Sequence, residues 1–165
     1  MLLPIMDSTH IHLLITHLPI FGSLLGAIVL AHALWTKSND TKVAAYILFI
    51  LSSIGAGVAY YTGEGAEEGV EHIQGVVEVT IQQHESFALF ALLSLILLGI
   101  VALFGLIVTV TKSPFTRTMA KIVLVVALIS FGLVAKTGYY GGQIRHTELN
   151  AGTTPAAENT EHDTD

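Results

Sequence analysis

The stretch SFALFALLSLILLGIVALFGLIVTV, residues 86–110, runs for 25 positions without a charged side chain. In a helix that rises about 1.5 Å per residue, about 20 apolar residues cross the roughly 30 Å hydrocarbon core of a bilayer. A helix also satisfies its own backbone hydrogen bonds inside that core, where water is absent. The stretch therefore predicts a transmembrane helix.

Three further apolar runs repeat this signal, at residues 13–35, 43–61 and 119–139. The chain of 165 residues is 52% hydrophobic and 12% charged, and that charged share is about half of what a soluble domain carries. Its mean hydropathy is +0.68. We predict an all-α fold: an integral membrane four-helix bundle with an amphipathic periplasmic segment between helices 2 and 3.

The predicted domain boundaries follow from the same pattern. A four-helix transmembrane domain covers residues 1–147, and its helices cover about 10–36, 43–62, 85–111 and 118–139. Residues 148–165 are polar and acidic, without an apolar period, which is typical of a disordered tail. The chain has no cysteine, so disulfides, thiolate metal sites and thiol nucleophiles are excluded.

The basic residues predict the orientation of the helices. Five of them lie in or beside the two short loops: Lys37, Lys42, Lys112, Arg117 and Lys121. The positive-inside rule puts these loops in the cytoplasm. We therefore expect a multi-pass protein of the bacterial inner (cytoplasmic) membrane with both termini in the periplasm. The expected partners are the lipid bilayer and a periplasmic cytochrome or other membrane subunits, with no nucleic acid.

Four crossings bring six of the eight histidines to one membrane face. These are His10, His12, His17, His72, His84 and His146. They come from the start of helix 1, the connection between helices 2 and 3, the start of helix 3 and the end of helix 4. Ionisable residues are costly in a membrane and most often mark a functional site.

The stretch HIHLLITHLPI, residues 10–20, carries three of these histidines. His10 and His17 share a helical stripe, whereas His12 lies about 140° away from His17. Pro19 frees the carbonyl of Ile15 and bends the helix beside His17. We predict His17 as the deepest ligand of a site; the alternative is a set of interfacial histidines next to a tolerated proline kink.

The stretch GEGAEEGVEHIQGV, residues 63–76, is acidic and carries a histidine. Glu67 with Glu71, and Glu68 with His72, are four residues apart and share a face of a helix. Carboxylate and imidazole at that spacing suit a divalent first-row metal. The alternative is a solvated amphipathic helix on the membrane surface.

Two further segments complete the candidate site. IQQHE places His84 at the start of helix 3, and TGYYGGQIRHTEL presents Arg145 and His146 after a predicted glycine turn. Gly141 and Gly142 suit left-handed backbone or a close approach of another group. On helix 1, residues 22–26 form a GxxxG motif, which predicts close packing against another helix.

Four ordered motifs give the chain a family resemblance. HIHLLITHLP, YTGEGAEEGVEH, IQQHE and GGQIRHTEL resemble the HLLLNHLP-like, TGEPAEEVVEH-like, HE and GGxIRHxE motifs of a family of small four-span bacterial membrane proteins without an established activity. The resemblance covers about residues 8–150. Thr16 and Gly65 depart from it, where the family has asparagine and proline. Its signature positions are His12, His17, Pro19, Glu67, Glu68, Glu71, His72, His84, Glu85, Gly141, Gly142, Arg145, His146 and Glu148.

The first functional hypothesis is a transition-metal centre, redox-related, at the periplasmic face. Nitrogen and oxygen ligands suit iron, copper, zinc or manganese. The candidate ligands are His12, His17, Glu68, Glu71, His72, His84 and His146.

Two alternatives remain open. In a b-type cytochrome, His17 with His84 or His146 would be the axial ligands of haem b, and Arg145 would pair with a propionate. In a non-catalytic scaffold or accessory subunit, the polar groups would hold the helices together through hydrogen bonds. The sequence does not decide whether the protein is an enzyme.

Overall fold

The computed structural model describes residues 8–68 and 78–145, and these residues form five helices. Helix α1 is Ser8–Ile15, α2 is His17–Thr36, α3 is Asn39–Glu68, α4 is Glu78–Val110 and α5 is Thr116–Arg145. With α1 and α2 taken together, four helical segments are long and apolar enough to cross a membrane: Thr9–Thr36, Asn39–Ala66, Glu78–Val110 and Thr116–Ile144. The predicted all-α bundle of four membrane-length helices is confirmed.

Three of the helices extend beyond the apolar runs that predicted them. Helix α3 continues to Glu68, α4 begins at Glu78 and α5 continues to Arg145. Once a helix is nucleated, each further residue adds a backbone hydrogen bond, so polar flanks prolong it outside the apolar segment. The glycine turn predicted at Gly141 and Gly142 is wrong, because both residues lie inside α5. The predicted acidic tail and residues 69–77 of the connection lie outside the described residues.

The four long helices pack as a ring. Helix α2 packs against α3 and α5, and α4 packs against α3 and α5, while α1 packs mainly against α3. The most deeply buried large side chains include Leu30, Tyr46, Phe49, Leu95 and Leu98. The two short loops place the ends of α2 and α4 beside the starts of α3 and α5. We call this the basic end of the bundle, and the opposite end, where α1 and α4 begin, the histidine end.

The predicted close packing at the GxxxG motif is confirmed. Gly22 lies against Ser52 of α3, and a Cβ at Gly26 would lie 2.5 Å from the ring of Phe49. Small residues at such positions let two helix backbones approach closely, which is a common way for membrane helices to associate.

The outer surface of the bundle is apolar. Large side chains that are at least half exposed include Phe21, Ile54, Leu97, Phe104 and Leu128. Exposed apolar area on this scale is unusual in a soluble monomer. It is compatible with contact between the helices and the lipid bilayer.

Candidate functional site

His12 and His84 face each other at the histidine end. His12 lies on α1 and His84 lies near the start of α4. Their ring centres are 6.5 Å apart, and the ring planes are inclined by 77°. Both side chains are partly buried. Two histidines that are 72 positions apart in sequence therefore meet in one place, as the four crossings predicted.

A backbone carbonyl of a neighbouring helix holds each of the two rings. The Nδ1 atom of His12 lies 2.8 Å from the carbonyl oxygen of Ala59 on α3. The Nδ1 atom of His84 lies 3.0 Å from the carbonyl oxygen of Thr137 on α5. Because a carbonyl only accepts hydrogen bonds, Nδ1 is the donor in both rings. In the neutral imidazole the other nitrogen, Nε2, then keeps its lone pair and is available as a ligand.

Each ring also lies beside a glycine. A Cβ at Gly63 of α3 would lie 3.6 Å from Cε1 of His12, and one at Gly141 of α5 would lie 3.1 Å from Cε1 of His84. A Cβ at Gly142 would meet nothing within 4 Å. Of the two roles predicted for Gly141, the close approach is the one found, and the group that approaches is the imidazole of His84.

A cavity of about 80 Å³ lies between the helices beside the two rings. One water molecule needs about 10–15 Å³, so the cavity has room for an ion with several waters. Apart from the two imidazoles, its lining is mostly small and aliphatic. The lining residues are His12, Thr16, Pro19, Ile20, Ala56, Ala59, Tyr60, His84, Ala88, Ala91, Leu92, Leu95, Val134, Thr137 and Gly138.

An interruption of the first span separates His12 from His17. Helix α1 ends at Ile15 and α2 begins at His17, so the break falls at Thr16, three residues before Pro19. Pro19 has no backbone N–H to donate, which agrees with the disturbance predicted there. Its side chain is buried and lines the cavity.

His17, predicted as the deepest ligand, lies on an exposed face of α2. Its Nδ1 atom donates to the carbonyl of Leu13 at 2.9 Å, and its ring stacks on Phe21 with centres 6.3 Å apart. His10 is exposed as well. The structure brings His12 and His84 together and leaves His17 outside the cavity.

The other predicted site residues are not described. Glu71, His72 and His146 lie outside the described residues, as do the side chains of Glu68 and Arg145. Within residues 8–68 and 78–145, no three histidine, aspartate or glutamate side chains form a group that could hold a metal ion. The described part of the candidate site is therefore a pair of histidines.

A cation–π contact lies next to His84. The ammonium of Lys136 lies 4.2 Å from the ring centre of Phe87, and Phe87 stacks on Tyr140 with ring centres 5.2 Å apart. Lys136 is exposed, so its charge is stabilised at the surface of the bundle without entering the cavity.

Several features of the site had no sequence signal. The carbonyls of Ala59 and Thr137 are backbone groups, which every residue type carries. Gly63 begins the acidic stretch at residues 63–76 and Tyr60 lies three residues before it, whereas the ligands predicted from this region were Glu68, Glu71 and His72. These contacts depend on how α3 and α5 are placed around α1 and α4.

Comparison of the chain with protein-family models, curated proteins and solved structures found no match. The interpretation of the site therefore rests on its geometry and chemistry.

Proposed function

We propose that the protein is a membrane protein that binds a transition-metal ion through Nε2 of His12 and Nε2 of His84, in a redox role. The observation that carries this proposal is the pair of hydrogen bonds from Nδ1 to backbone carbonyls. Metal-binding histidines commonly donate their second N–H in this way, which fixes the tautomer and the orientation of the ring. Both His12 and His84 donate Nδ1–H to a backbone carbonyl in this way.

The surroundings of the pair support a metal more than a catalytic base. The cavity lining is mainly alanine, leucine and other aliphatic residues. An apolar shell limits the access of water to a bound ion and tunes its redox potential. Iron, copper, zinc and manganese all accept imidazole. Further ligands would come from water or from predicted ligands such as His72 and His146.

The spacing of the rings favours haem b as a second candidate. A nitrogen bound to a first-row metal lies about 2.0–2.1 Å from it, and the imidazole centre lies about 1.2 Å further. Two rings on opposite sides of one ion therefore have centres about 6.4 Å apart, close to the observed 6.5 Å. His12 and His84 would hold the haem iron, which would supply one-electron redox chemistry.

The volume of the cavity favours the simple ion. Its 80 Å³ is well below the roughly 300–1,000 Å³ of pockets that enclose molecules of drug size. To bind a porphyrin, α1 and α4 would have to separate. For this reason haem remains the second candidate.

The experiment is metal analysis together with optical spectra of the purified protein, oxidised and then reduced with dithionite. The test variants are His12→Asn and His84→Asn. The amide nitrogen of asparagine can replace Nδ1 as the donor to the carbonyl, but asparagine has no atom at the position of Nε2. His17→Asn is the matched control, because His17 is exposed and outside the cavity.

For a metal centre, we expect about one ion per wild-type chain and loss of that ion in both test variants, whose thermal stability stays close to that of the metal-free wild type. The His17→Asn control keeps the ion. A Soret band with sharpened reduced bands that both test variants lose identifies the centre as haem. If wild-type protein binds neither metal nor haem after reconstitution, the proposal is wrong and the imidazole–carbonyl bonds serve only to join helices.

A further inference from the structure

A second polar cluster lies at the basic end, at the opposite end of the bundle from the histidines. Lys42, in the first turns of α3, is only 5% exposed. Its ammonium donates to Oδ1 of Asn39 at 2.9 Å. A buried ammonium group normally has a negatively charged partner, and the side chain of Asn39 is neutral. The structure thus leaves the charge of Lys42 uncompensated among the described residues.

Other basic side chains at this end add to the excess of positive charge. Arg117, in the first turn of α5, lies close enough to repel Lys42 electrostatically. Among the described residues at this end, the one acidic side chain is that of Asp40, and it is exposed. Lys37, Lys112 and Lys121 add further positive charge. The described residues at this end of the bundle therefore carry a net positive charge.

Two buried hydroxyl groups lie about one helical turn further into the bundle than the lysine. Tyr46 is one helical turn beyond Lys42 on α3, and its hydroxyl lies against Gly105 of α4, one turn from Thr109. Tyr46 and Thr109 are 0% and 3% exposed. Neither hydroxyl makes a well-aligned hydrogen bond to another group among the described residues, and the two hydroxyls interact with each other. This end therefore combines a buried lysine with buried hydroxyl groups, and no buried carboxylate lies there among the described residues.

We propose that this cluster binds the phosphate group of an anionic phospholipid, with Lys42 and Arg117 as its charged contacts. Phosphate offers several acceptor oxygens and the negative charge that the cluster lacks. The cluster lies at the ends of helices of membrane-spanning length, which is the depth of lipid headgroups. Basic pockets between transmembrane helices are known binding sites for anionic headgroups. Free phosphate shares this chemistry and is the alternative source.

The test measures binding to the full-length protein in neutral detergent by native mass spectrometry and by thermal shift. The added compounds are phosphatidylglycerol, phosphatidylcholine and inorganic phosphate. Lys42→Met is the test variant and Lys121→Met is the matched control, because Lys121 lies at the same end but is exposed. Neither variant changes the histidine end, so metal binding is independent of this result.

We expect phosphatidylglycerol to bind better than phosphatidylcholine, and Lys42→Met to weaken its binding roughly fivefold. Lys121→Met has a smaller effect. If Lys42→Met does not fold, Arg117→Gln serves instead, because Arg117 is exposed and its replacement leaves the core intact. Competition by inorganic phosphate at similar concentration would identify the free anion as the ligand. Equal losses in the test and control variants, or no preference for the anionic lipid, would overturn the proposal.

Discussion

Two carbonyl oxygens determine which nitrogen of His12 and His84 can bind a ligand. Each oxygen accepts the Nδ1 hydrogen, at 2.8 Å from His12 and 3.0 Å from His84. A histidine in water exchanges between its two tautomers, but this pair is held in one of them. The chemistry of the site is thus set by the backbone of α3 and α5 as much as by the histidines themselves.

Gly141→Ala is expected to disturb the pair, whereas Gly142→Ala is not. A methyl group at Gly141 would lie 3.1 Å from Cε1 of His84, while one at Gly142 would meet nothing within 4 Å. Alanine in place of glycine favours a helix by roughly 0.5–1 kcal/mol. We therefore expect Gly142→Ala to be neutral or stabilising in thermal unfolding, and Gly141→Ala to be the less stable of the two. Equal stabilities would mean that the His84 ring does not need this space.

His12 and His17 were predicted to lie on different faces, and His12 is half-buried whereas His17 is exposed. The helical angle puts the two on different faces, and they are on different faces. Which face turns inward could not be derived, because lipid-facing and core-facing positions of a membrane helix are both apolar. Leu13 and Leu14, for example, are exposed beside the half-buried His12.

At the scale of elements, contact between glycine and an aromatic ring brings α2 and α3 together. A Cβ at Gly26 would lie 2.5 Å from Cε1 of Phe49, which is itself fully buried. We expect Gly26→Val to lower the free energy of unfolding by about 1–3 kcal/mol, the usual cost of overpacking a core. Thermal or denaturant unfolding in detergent measures this.

The control for that change is Gly57→Val. Gly57 is an exposed helical glycine, and a Cβ there would meet nothing within 4 Å. Gly57→Val changes the helix propensity as Gly26→Val does, but the added side chain does not contact Phe49. If the two variants unfold alike, the α2–α3 interface tolerates the extra volume and the proposed role of Gly26 is wrong.

The elements were the most predictable part of the molecule. Long apolar runs required helices because lipid offers the backbone no hydrogen bonds, and four such segments are present. The extensions of α3, α4 and α5 were missed, since hydropathy marks the apolar part of a helix and not its ends. Gly141 and Gly142 were predicted as a turn for the same reason: a glycine pair after an apolar run commonly marks an end, yet here α5 continues to Arg145.

At the scale of the whole molecule, the orientation in the membrane is open to a direct test. The chain has no cysteine, so a single introduced cysteine is the only thiol. Glu64→Cys lies at the histidine end and Pro114→Cys lies in the loop between α4 and α5, and both positions are exposed. An impermeant maleimide applied to intact spheroplasts should label Glu64→Cys alone, with Pro114→Cys labelled after permeabilisation. The opposite pattern would reverse the predicted orientation.

The convergence of distant segments could be predicted, whereas the composition of the site could not. Counting four crossings was enough to bring His12 and His84 to one end, where they lie in contact. The other predicted contributors, His72 and His146, belong to segments outside the described residues. The burial of Lys42 without a negatively charged partner among the described residues was not predicted. Whether a residue beside a short loop is buried depends on how the helix ends pack.

The break at Thr16 has a consequence for how fast a ligand could leave. His12 is carried by an eight-residue helix that ends at Ile15 and packs mainly on α3. Displacing this helix costs the bond from His12 to Ala59 and its contacts with α3, while the ring formed by α2 to α5 keeps its own interactions. If a ligand binds at the histidine pair, we therefore expect its rate of release to depend in part on the contacts of α1, whereas the resistance of the bundle to unfolding depends mainly on the packing of α2 to α5.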